Sequence, residues 1–225
     1  MSNDEGNGPP AHEGVHRISL TRKGVNMNIF GVLFEVVNFS VLGVFLISEI
    51  LLNVTRRGDK SAASLRKGKI SNFLIMIVGL GSIVLGIIIG FTAKFMNIRW
   101  LFSPDYLISS LGLVLIVIGV VIRWSAVRTL DKYFTVDVTI LDDHKLIRSG
   151  LFKYVRHPSY LGLLIAVLGL GVTMVNWLST IVMLVPHVVV ILLRINEEER
   201  ALEERFGDDY RAYRQETKRL IPLVY

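Results

Sequence analysis

The sequence has 225 residues, 52% of them hydrophobic, and its mean hydropathy of +0.52 is too high for an ordinary soluble domain of this length. The formal net charge is +6, which in a membrane protein reflects orientation and lipid headgroups rather than a nucleic-acid partner. Because the sequence contains no cysteine, disulfides, thiolate metal sites and cysteine nucleophiles are excluded. We therefore expect an integral membrane protein that binds membrane lipids and no nucleic acid.

The first segment, residues 1–27, is polar and lacks the basic head and apolar run of a signal peptide, so we predict a flexible tail. Apolar runs then recur at lengths near the roughly 20 helical residues that cross a bilayer. They lie at 28–52, 70–93, 106–127, 160–176 and 178–194. The last two runs meet at Asn176 and Trp177, which predicts a short helical hairpin. The expected fold class is an all-α integral membrane helical bundle with about five transmembrane helices and a cytosolic C-terminal helical segment.

Basic residues are concentrated in alternate loops. The loop after the first run carries Arg56, Arg57, Lys60, Arg66, Lys67 and Lys69, whereas the loop after the second run carries only Lys94 and Arg99. Residues 128–156 and the C-terminal segment are basic again. The positive-inside rule therefore predicts a multi-pass protein with these segments in the cytoplasm and the N-terminus outside.

Small and acidic residues interrupt the first two apolar runs. Ser82, Gly86 and Gly90 recur every four residues, which predicts close packing against a neighbouring helix of the same chain rather than a dimer contact. Glu35 and Glu49 are costly in a membrane and leave a proton-transport role open as an alternative. Glu49 lies near the end of its run, so we expect it to reach the interface by snorkelling.

The stretch "RHPSY" lies directly before the uncharged run "LGLLIAVLGLGVTMV". Pro158 predicts a helix start, with His157 in an extended conformation. The helix N-terminus and the His157 ring are suited to an anionic ligand group. The alternative is an interfacial anchor, in which Arg156 binds lipid phosphate and Tyr160 lies in the aromatic belt. The residues alone do not decide between these two interpretations.

A second polar cluster, "RINEEERALEERFGDDYRAYR", follows the last apolar run. Arg194 and Glu198 share one helix face at the predicted membrane boundary. A simple surface ion pair is the alternative, but Glu199 and Glu203 are like charges at the same spacing, which favours a functional site. His144 by itself predicts a surface histidine. The sequence lacks the G-x-G-x-x-G, P-loop and H-E-x-x-H motifs of soluble cofactor, nucleotide and zinc sites, and we expect no metal.

Taken together, "HKLIRSGLFKYVRHPSYLG", the hairpin, "RINEEERALEERFGDDYRAYR" and the terminal "IP" resemble the isoprenylcysteine carboxyl methyltransferase family and its prokaryotic relatives. The resemblance covers residues 128–225 and implies a catalytic region there, after three transmembrane helices in 28–127. It implies S-adenosylmethionine as methyl donor and S-adenosylhomocysteine as product, in a cytosol-facing pocket between the last two helices. The implied acceptor is a lipophilic small molecule or a prenylated-peptide-like carboxylate, and we expect a monomer.

The resemblance also assigns roles residue by residue. It implies cofactor contacts at His144, Lys145, Leu146, Ile147, Phe152, His157, Pro158, Ser159, Tyr160 and Glu198. It implies that Arg194, as the catalytic residue, faces the acceptor carboxylate. Many relatives have tyrosine where this chain has Phe152, which keeps an aromatic ring but loses a hydroxyl. Such a reaction needs no general base, because the nucleophile is already ionised and the leaving group is a neutral thioether, so the protein has to align and dehydrate the reactants.

Other functions stay open at this point. Related membrane methyltransferases act on phospholipid amines or small thiols, for which Arg194 has a less obvious use. Membrane sterol reductases share part of the architecture but use NADPH, and a membrane scaffold would bind neither cofactor. Binding of the two cofactors separates these classes.

Overall fold

Six α-helices account for most of the described chain, which in this computed structural model comprises residues 29–55, 68–96, 105–134 and 145–221. They are α1 (Ile29–Thr55), α2 (Gly68–Phe95), α3 (Asp105–Leu130), α4 (Pro158–Thr173), α5 (Trp177–Phe206) and α6 (Asp208–Glu216). Short 3-10 turns span Asp131–Tyr133 and Gly150–Lys153. The predicted tail 1–27, the basic loop after the first helix and His144 lie outside the described residues.

The helices expose apolar side chains on their outer faces, as expected for a protein that lies in lipid. On α3 the outward stripe consists of Leu107, Leu111, Val114, Ile118 and Val121. Among the described residues, two helical stretches are long and apolar enough to cross a membrane, Tyr106–Leu130 and Trp177–Phe206. Shorter apolar helices lie at Val36–Leu52, Ile77–Ala93 and Pro158–Thr173. The all-helical fold is confirmed, while the count of five spans and their orientation stay predictions.

Helices α3 and α4 pack backbone against backbone through glycines spaced seven residues apart on each helix. A Cβ at Gly162 of α4 would lie 2.6 Å from the Gly119 carbonyl oxygen of α3, and one at Gly169 would lie 2.6 Å from the Gly112 oxygen. No side chain larger than hydrogen fits at either crossing. This contact fixes the position of the start of α4, where the polar cluster lies.

The small-residue stripe on α2 faces α5 of the same chain. A Cβ at Gly86 would collide with the Met183 side chain, and Ser82 Oγ lies 3.2 Å from Nδ1 of the buried His187. The predicted packing within one chain is therefore confirmed. The sequence-based interpretation did not consider His187.

The hairpin between α4 and α5 turns over residues 174–176, and the Asn176 side chain caps α5 by accepting a hydrogen bond from the Ser179 N–H at 3.0 Å. Helix α5 continues to Phe206, beyond the apolar run that ends at residue 194, so Arg194 and Glu198 lie on one helix as predicted. Gly207, with φ of 53°, then separates α5 from α6. The predicted boundary at residue 128 also falls inside α3, which ends at Leu130.

Candidate active site

The first turn of α4 is joined to the C-terminal segment by backbone hydrogen bonds. Pro158 is the first residue of the helix, as predicted. The Arg156 N–H donates to the Lys218 carbonyl at 2.8 Å, and the His157 N–H donates to the Arg219 carbonyl at 3.1 Å. His157 is not fully extended, with φ of −126° and ψ of 58°, because its backbone turns from this bridge into the helix. The C-terminal segment therefore closes over the entrance to α4.

Tyr160 connects Arg194 and Glu198. Its hydroxyl donates to Glu198 Oε2 at 2.7 Å and accepts a hydrogen bond from Arg194 Nε, also at 2.7 Å. The His157 ring stacks on the Tyr160 ring, with centroids 5.7 Å apart. Arg194 is only 8% exposed, so the alternative of a simple surface ion pair is wrong. The Glu198 side chain is 32% exposed and is the accessible carboxylate of the cluster.

Glu199, rather than Glu198, is the buried carboxylate. It accepts hydrogen bonds from Arg156 Nε at 2.9 Å and from Arg219 Nε at 3.0 Å, and one of its oxygens lies 3.3 Å from His157 Nε2. Arg156 also donates to the Thr217 carbonyl, so the alternative in which it anchors lipid phosphate is wrong. These contacts also remove the apparent conflict of like charges on α5, because Glu199 is neutralised from outside the helix.

The segment before α4 is fastened to α6. The Tyr213 hydroxyl donates to the carbonyl of the buried Phe152 at 2.6 Å. Burial raises the pKa of Tyr213 to about 12, so this phenol keeps its proton at neutral pH. Arg148 lies over the Tyr213 ring at 5.5 Å and donates to the Asp209 carbonyl. The polar residues of "DDYRAY" thus hold the "RSGLFKY" turn in place.

Tyr210 is fully buried, and its hydroxyl has no hydrogen-bond partner among the residues that the structure describes. Burial, and next the Glu199 carboxylate, raise the pKa of Tyr210, so the hydroxyl is protonated and available both to donate and to accept. The Arg156 charge lowers the pKa of this phenol and the Glu198 charge raises it, so both side chains lie near the Tyr210 hydroxyl. An orphaned hydroxyl beside the cluster is what an absent polar ligand would leave behind. The sequence-based interpretation missed Tyr210, although it belongs to the motif that contains Tyr213.

The remaining predicted site residues are placed as follows. Lys145 is exposed, while Leu146 and Ile147 are partly buried. Ser159 is buried and contacts Arg123 of α3, with Arg123 Nη1 3.0 Å from Ser159 Oγ. The structure therefore joins Tyr160, Arg194 and Glu198 by hydrogen bonds, stacks His157 on Tyr160, and turns Ser159 toward the bundle interior.

Glu49 differs from its prediction. It does not snorkel, because its carboxylate accepts a hydrogen bond from Arg123 Nη2 at 2.8 Å inside the bundle. Its side chain is only 19% exposed. Sequence spacing could not reveal this pair, since its members lie on different helices.

Known proteins resemble this chain over much of its length. A model of the isoprenylcysteine carboxyl methyltransferase family matches residues 111–204. The protein-S-isoprenylcysteine O-methyltransferase of Schizosaccharomyces pombe is 32% identical over 199 residues, covering 83% of this chain and 82% of the relative. A probable protein-S-isoprenylcysteine O-methyltransferase of Oryza sativa subsp. indica is 36% identical over 121 residues, and there the chain spans 63% of the relative's length.

A solved structure supports the fold. The eukaryotic intramembrane Ras methyltransferase, isoprenylcysteine carboxyl methyltransferase, matches with a TM-score of 0.58 at 23% identity, covering 91% of this chain and 70% of that one. At this identity the match speaks for the architecture alone. The yeast relative extends over most of both sequences at higher identity, and the chain therefore belongs to the isoprenylcysteine carboxyl methyltransferase family.

Proposed function

We propose that this chain is a membrane methyltransferase that uses S-adenosylmethionine to methylate the carboxylate of a lipophilic, isoprenylcysteine-like acceptor. The observation that carries the proposal is the Tyr160 bridge. It holds a buried cation, Arg194, and an accessible anion, Glu198, one helical turn apart in a chain of this family. The same arrangement is of little use to a scaffold, because burying a guanidinium is costly without a function for it.

The residues present fit the donor. S-adenosylmethionine offers an ammonium group and ribose hydroxyls that Glu198 can accept, and polar atoms that can satisfy the Tyr210 hydroxyl. Leaving a buried hydroxyl unpaired costs about 1–3 kcal/mol, which a bound ligand would recover. Phe152 remains the proposed aromatic contact for adenine, and residues 144–147, His157 and Pro158 remain proposed contacts, whereas the Ser159 side chain is taken up by Arg123. His157 already lies beside Glu199, so we assign it to holding the pocket's shape as well.

Each side chain then has a separate task. When bound, the donor supplies an electrophilic methyl group. Arg194 holds the acceptor carboxylate as a forked cation, while Tyr160 fixes the direction of that fork through Nε. No residue has to remove a proton from the acceptor, because a carboxylate is already ionised at neutral pH. The helical bundle excludes water and admits the lipid part of the acceptor.

The orientation is part of the proposal. The basic loops are expected in the cytoplasm together with the active site, and the N-terminus outside. This arrangement would give the pocket access to the soluble donor on one side and to the lipid-borne acceptor on the other. The protein is proposed to act as a monomer.

A methyl-transfer assay on purified protein in lipid nanodiscs tests the proposal. Radiolabelled donor is supplied with N-acetyl-S-farnesylcysteine, and with its carboxamide as the matched control. We expect base-labile methyl ester from the acid and none from the amide. Label on phospholipid amines or on a small thiol would support the related methyltransferase classes instead. Folded protein that binds NADPH, but neither S-adenosylmethionine nor S-adenosylhomocysteine, would contradict the proposal.

A further inference from the structure

An ion pair between α1 and α3 lies beside the first turn of α4. Arg123 Nη2 donates to Glu49 Oε2 at 2.8 Å, and Arg123 Nε lies 2.5 Å from Glu49 Oε1. The Arg123 side chain is only 9% exposed. Because the cost of desolvating both charges offsets much of their attraction, stabilising the fold is a weak explanation for a buried ion pair. Its contacts indicate a more specific role.

The remaining nitrogen of the guanidinium reaches α4. Arg123 Nη1 donates to Ser159 Oγ at 3.0 Å and to the Ser159 carbonyl at 3.2 Å. A guanidinium is planar and rigid, so a carboxylate that is hydrogen-bonded to Nη2 and in ionic contact with Nε also restricts the direction of the third nitrogen. Glu49 therefore aims Arg123 at the residue that directly precedes Tyr160.

Close packing transmits this contact to the whole first turn. A Cβ at Gly162 would lie 2.6 Å from the Arg123 backbone nitrogen, so α4 touches the α3 backbone at this level. With no side chain between the helices, a slide or rotation of α4 has to change the distance from Arg123 to Ser159. The hydrogen bonds at Ser159 thus define the height and rotation at which α4 presents Tyr160.

We infer that Arg123, oriented by Glu49, is a positioning residue for the Tyr160 bridge. It is assigned no contact with donor or acceptor, and it acts by holding the Tyr160 hydroxyl where it can meet both Arg194 and Glu198. This inference rests on the proposed function, in which that bridge sets the working geometry. It gives α1, which lies outside the region of motif resemblance, a part in the site.

The test compares Glu49→Gln with Ser48→Ala. Ser48 accepts a hydrogen bond from Trp124 Nε1 at 2.7 Å, so Ser48→Ala removes a neighbouring α1–α3 contact that does not reach α4. We expect Glu49→Gln to lower kcat roughly tenfold with little change in the acceptor KM, since small misplacements of aligned groups are costly to turnover. Ser48→Ala should lower the thermal midpoint about as much as Glu49→Gln does, but it should leave kcat nearly unchanged.

A double substitution separates positioning from general damage. In a Tyr160→Phe background, Glu49→Gln should lower kcat by less than twofold, because the bridge it serves is already lost. Multiplicative effects, or equal kcat losses in Glu49→Gln and Ser48→Ala, would overturn the inference. If Glu49→Gln does not fold, Glu49→Asp, which keeps the charge but shortens the reach, takes its place.

An activity-independent readout keeps the inference distinct from the proposed function. With 3-fluorotyrosine at position 160, Glu49→Gln should shift the fluorine resonance and Ser48→Ala should not. If the unsubstituted protein methylates no acceptor, the proposed function fails, yet the fluorine shift still decides whether Glu49 acts on Tyr160. An unmoved resonance in Glu49→Gln would contradict the inference.

Discussion

Glu199 holds the parts of the site together at the scale of single residues. It is 4% exposed and accepts hydrogen bonds from Arg156 in the segment before α4 and from Arg219 in the C-terminal segment. The His157 ring also lies close to it. Its neighbour Glu198 is left accessible. Two adjacent carboxylates on one helix thus have separate tasks, because Glu199 joins the segment before α4 to the C-terminal segment and Glu198 faces the proposed donor.

Glu199→Gln should weaken the contact between the segment before α4 and the C-terminal segment. The amide keeps the shape but leaves two cations uncompensated, and removing one partner of a buried pair costs about 3–5 kcal/mol. Because the Arg219 side chain is 23% exposed, we expect a loss at or below the lower end of that range. Thermal unfolding and hydrogen exchange of residues 217–221 measure it, with exposed Glu204→Gln as the control. Equal behaviour of the two variants would show that Glu199 does not hold these two segments together.

The predictability of the site also differs residue by residue. Arg194 and Glu198 were recognisable because residues four apart share a helix face, and Pro158 because proline marks a helix start. The contacts of Glu199 were not recognisable from the sequence, since they join residues 20 to 43 positions away. Neither charge nor spacing indicates which of the two carboxylates is buried. The orphaned Tyr210 hydroxyl is visible only once α6 is packed.

At the scale of elements, α4 is the helix whose position matters most. It packs on α3 through glycines, begins at Pro158 and ends in the hairpin that returns α5 to the site. Hydropathy located these helices but marked only the apolar part of α5, because it measures preference for lipid and the sequence "EEERALEERF" is polar yet strongly helix-forming. The glycine pairs of α3 and α4 were not predicted, as single glycines in apolar runs do not reveal their partners.

Gly162→Ala should be strongly destabilising for so small a change. The new methyl group would lie 2.6 Å from both the Gly119 oxygen and the Arg123 nitrogen, so α3 and α4 must separate. Overpacking of this kind costs about 1–3 kcal/mol. Gly81→Ala on α2 is the matched control, since a Cβ there meets nothing within 4 Å, and it should be neutral or slightly stabilising. Thermal unfolding in detergent compares them, and equal midpoints would contradict the proposed backbone contact.

At the scale of the whole molecule, polar groups on five helices converge on one end of an otherwise apolar bundle. Glu49 on α1 and Arg123 on α3 support α4, which carries Tyr160, while α5 carries Glu198 and Glu199 and α6 carries Tyr213. The division of the sequence at residue 128 captured the motifs but not this support. Long-range ion pairs of this kind have no signature in a single sequence.

Membrane orientation is testable because the chain has no cysteine. Ser149 is exposed in the segment before α4, and we expect Ser149→Cys to react only with reagents that reach the cytoplasm. Ser103→Cys, between the second and third helices in the sequence, should react from outside in sealed cells. The reverse pattern would overturn the proposed topology.

The central claim is that Glu198 serves the donor and Arg194 the acceptor, and one paired measurement tests it most directly. Donor-product affinity by calorimetry and turnover with N-acetyl-S-farnesylcysteine are determined for Glu198→Gln and Arg194→Lys. Glu198→Gln should weaken donor binding about ten- to hundredfold, as expected for loss of a charge-assisted contact. Arg194→Lys should leave that affinity nearly unchanged but lower turnover, because a lysine point charge cannot reproduce the fork. Equal loss of donor affinity in both variants, or unchanged turnover in Arg194→Lys, would contradict the division of roles.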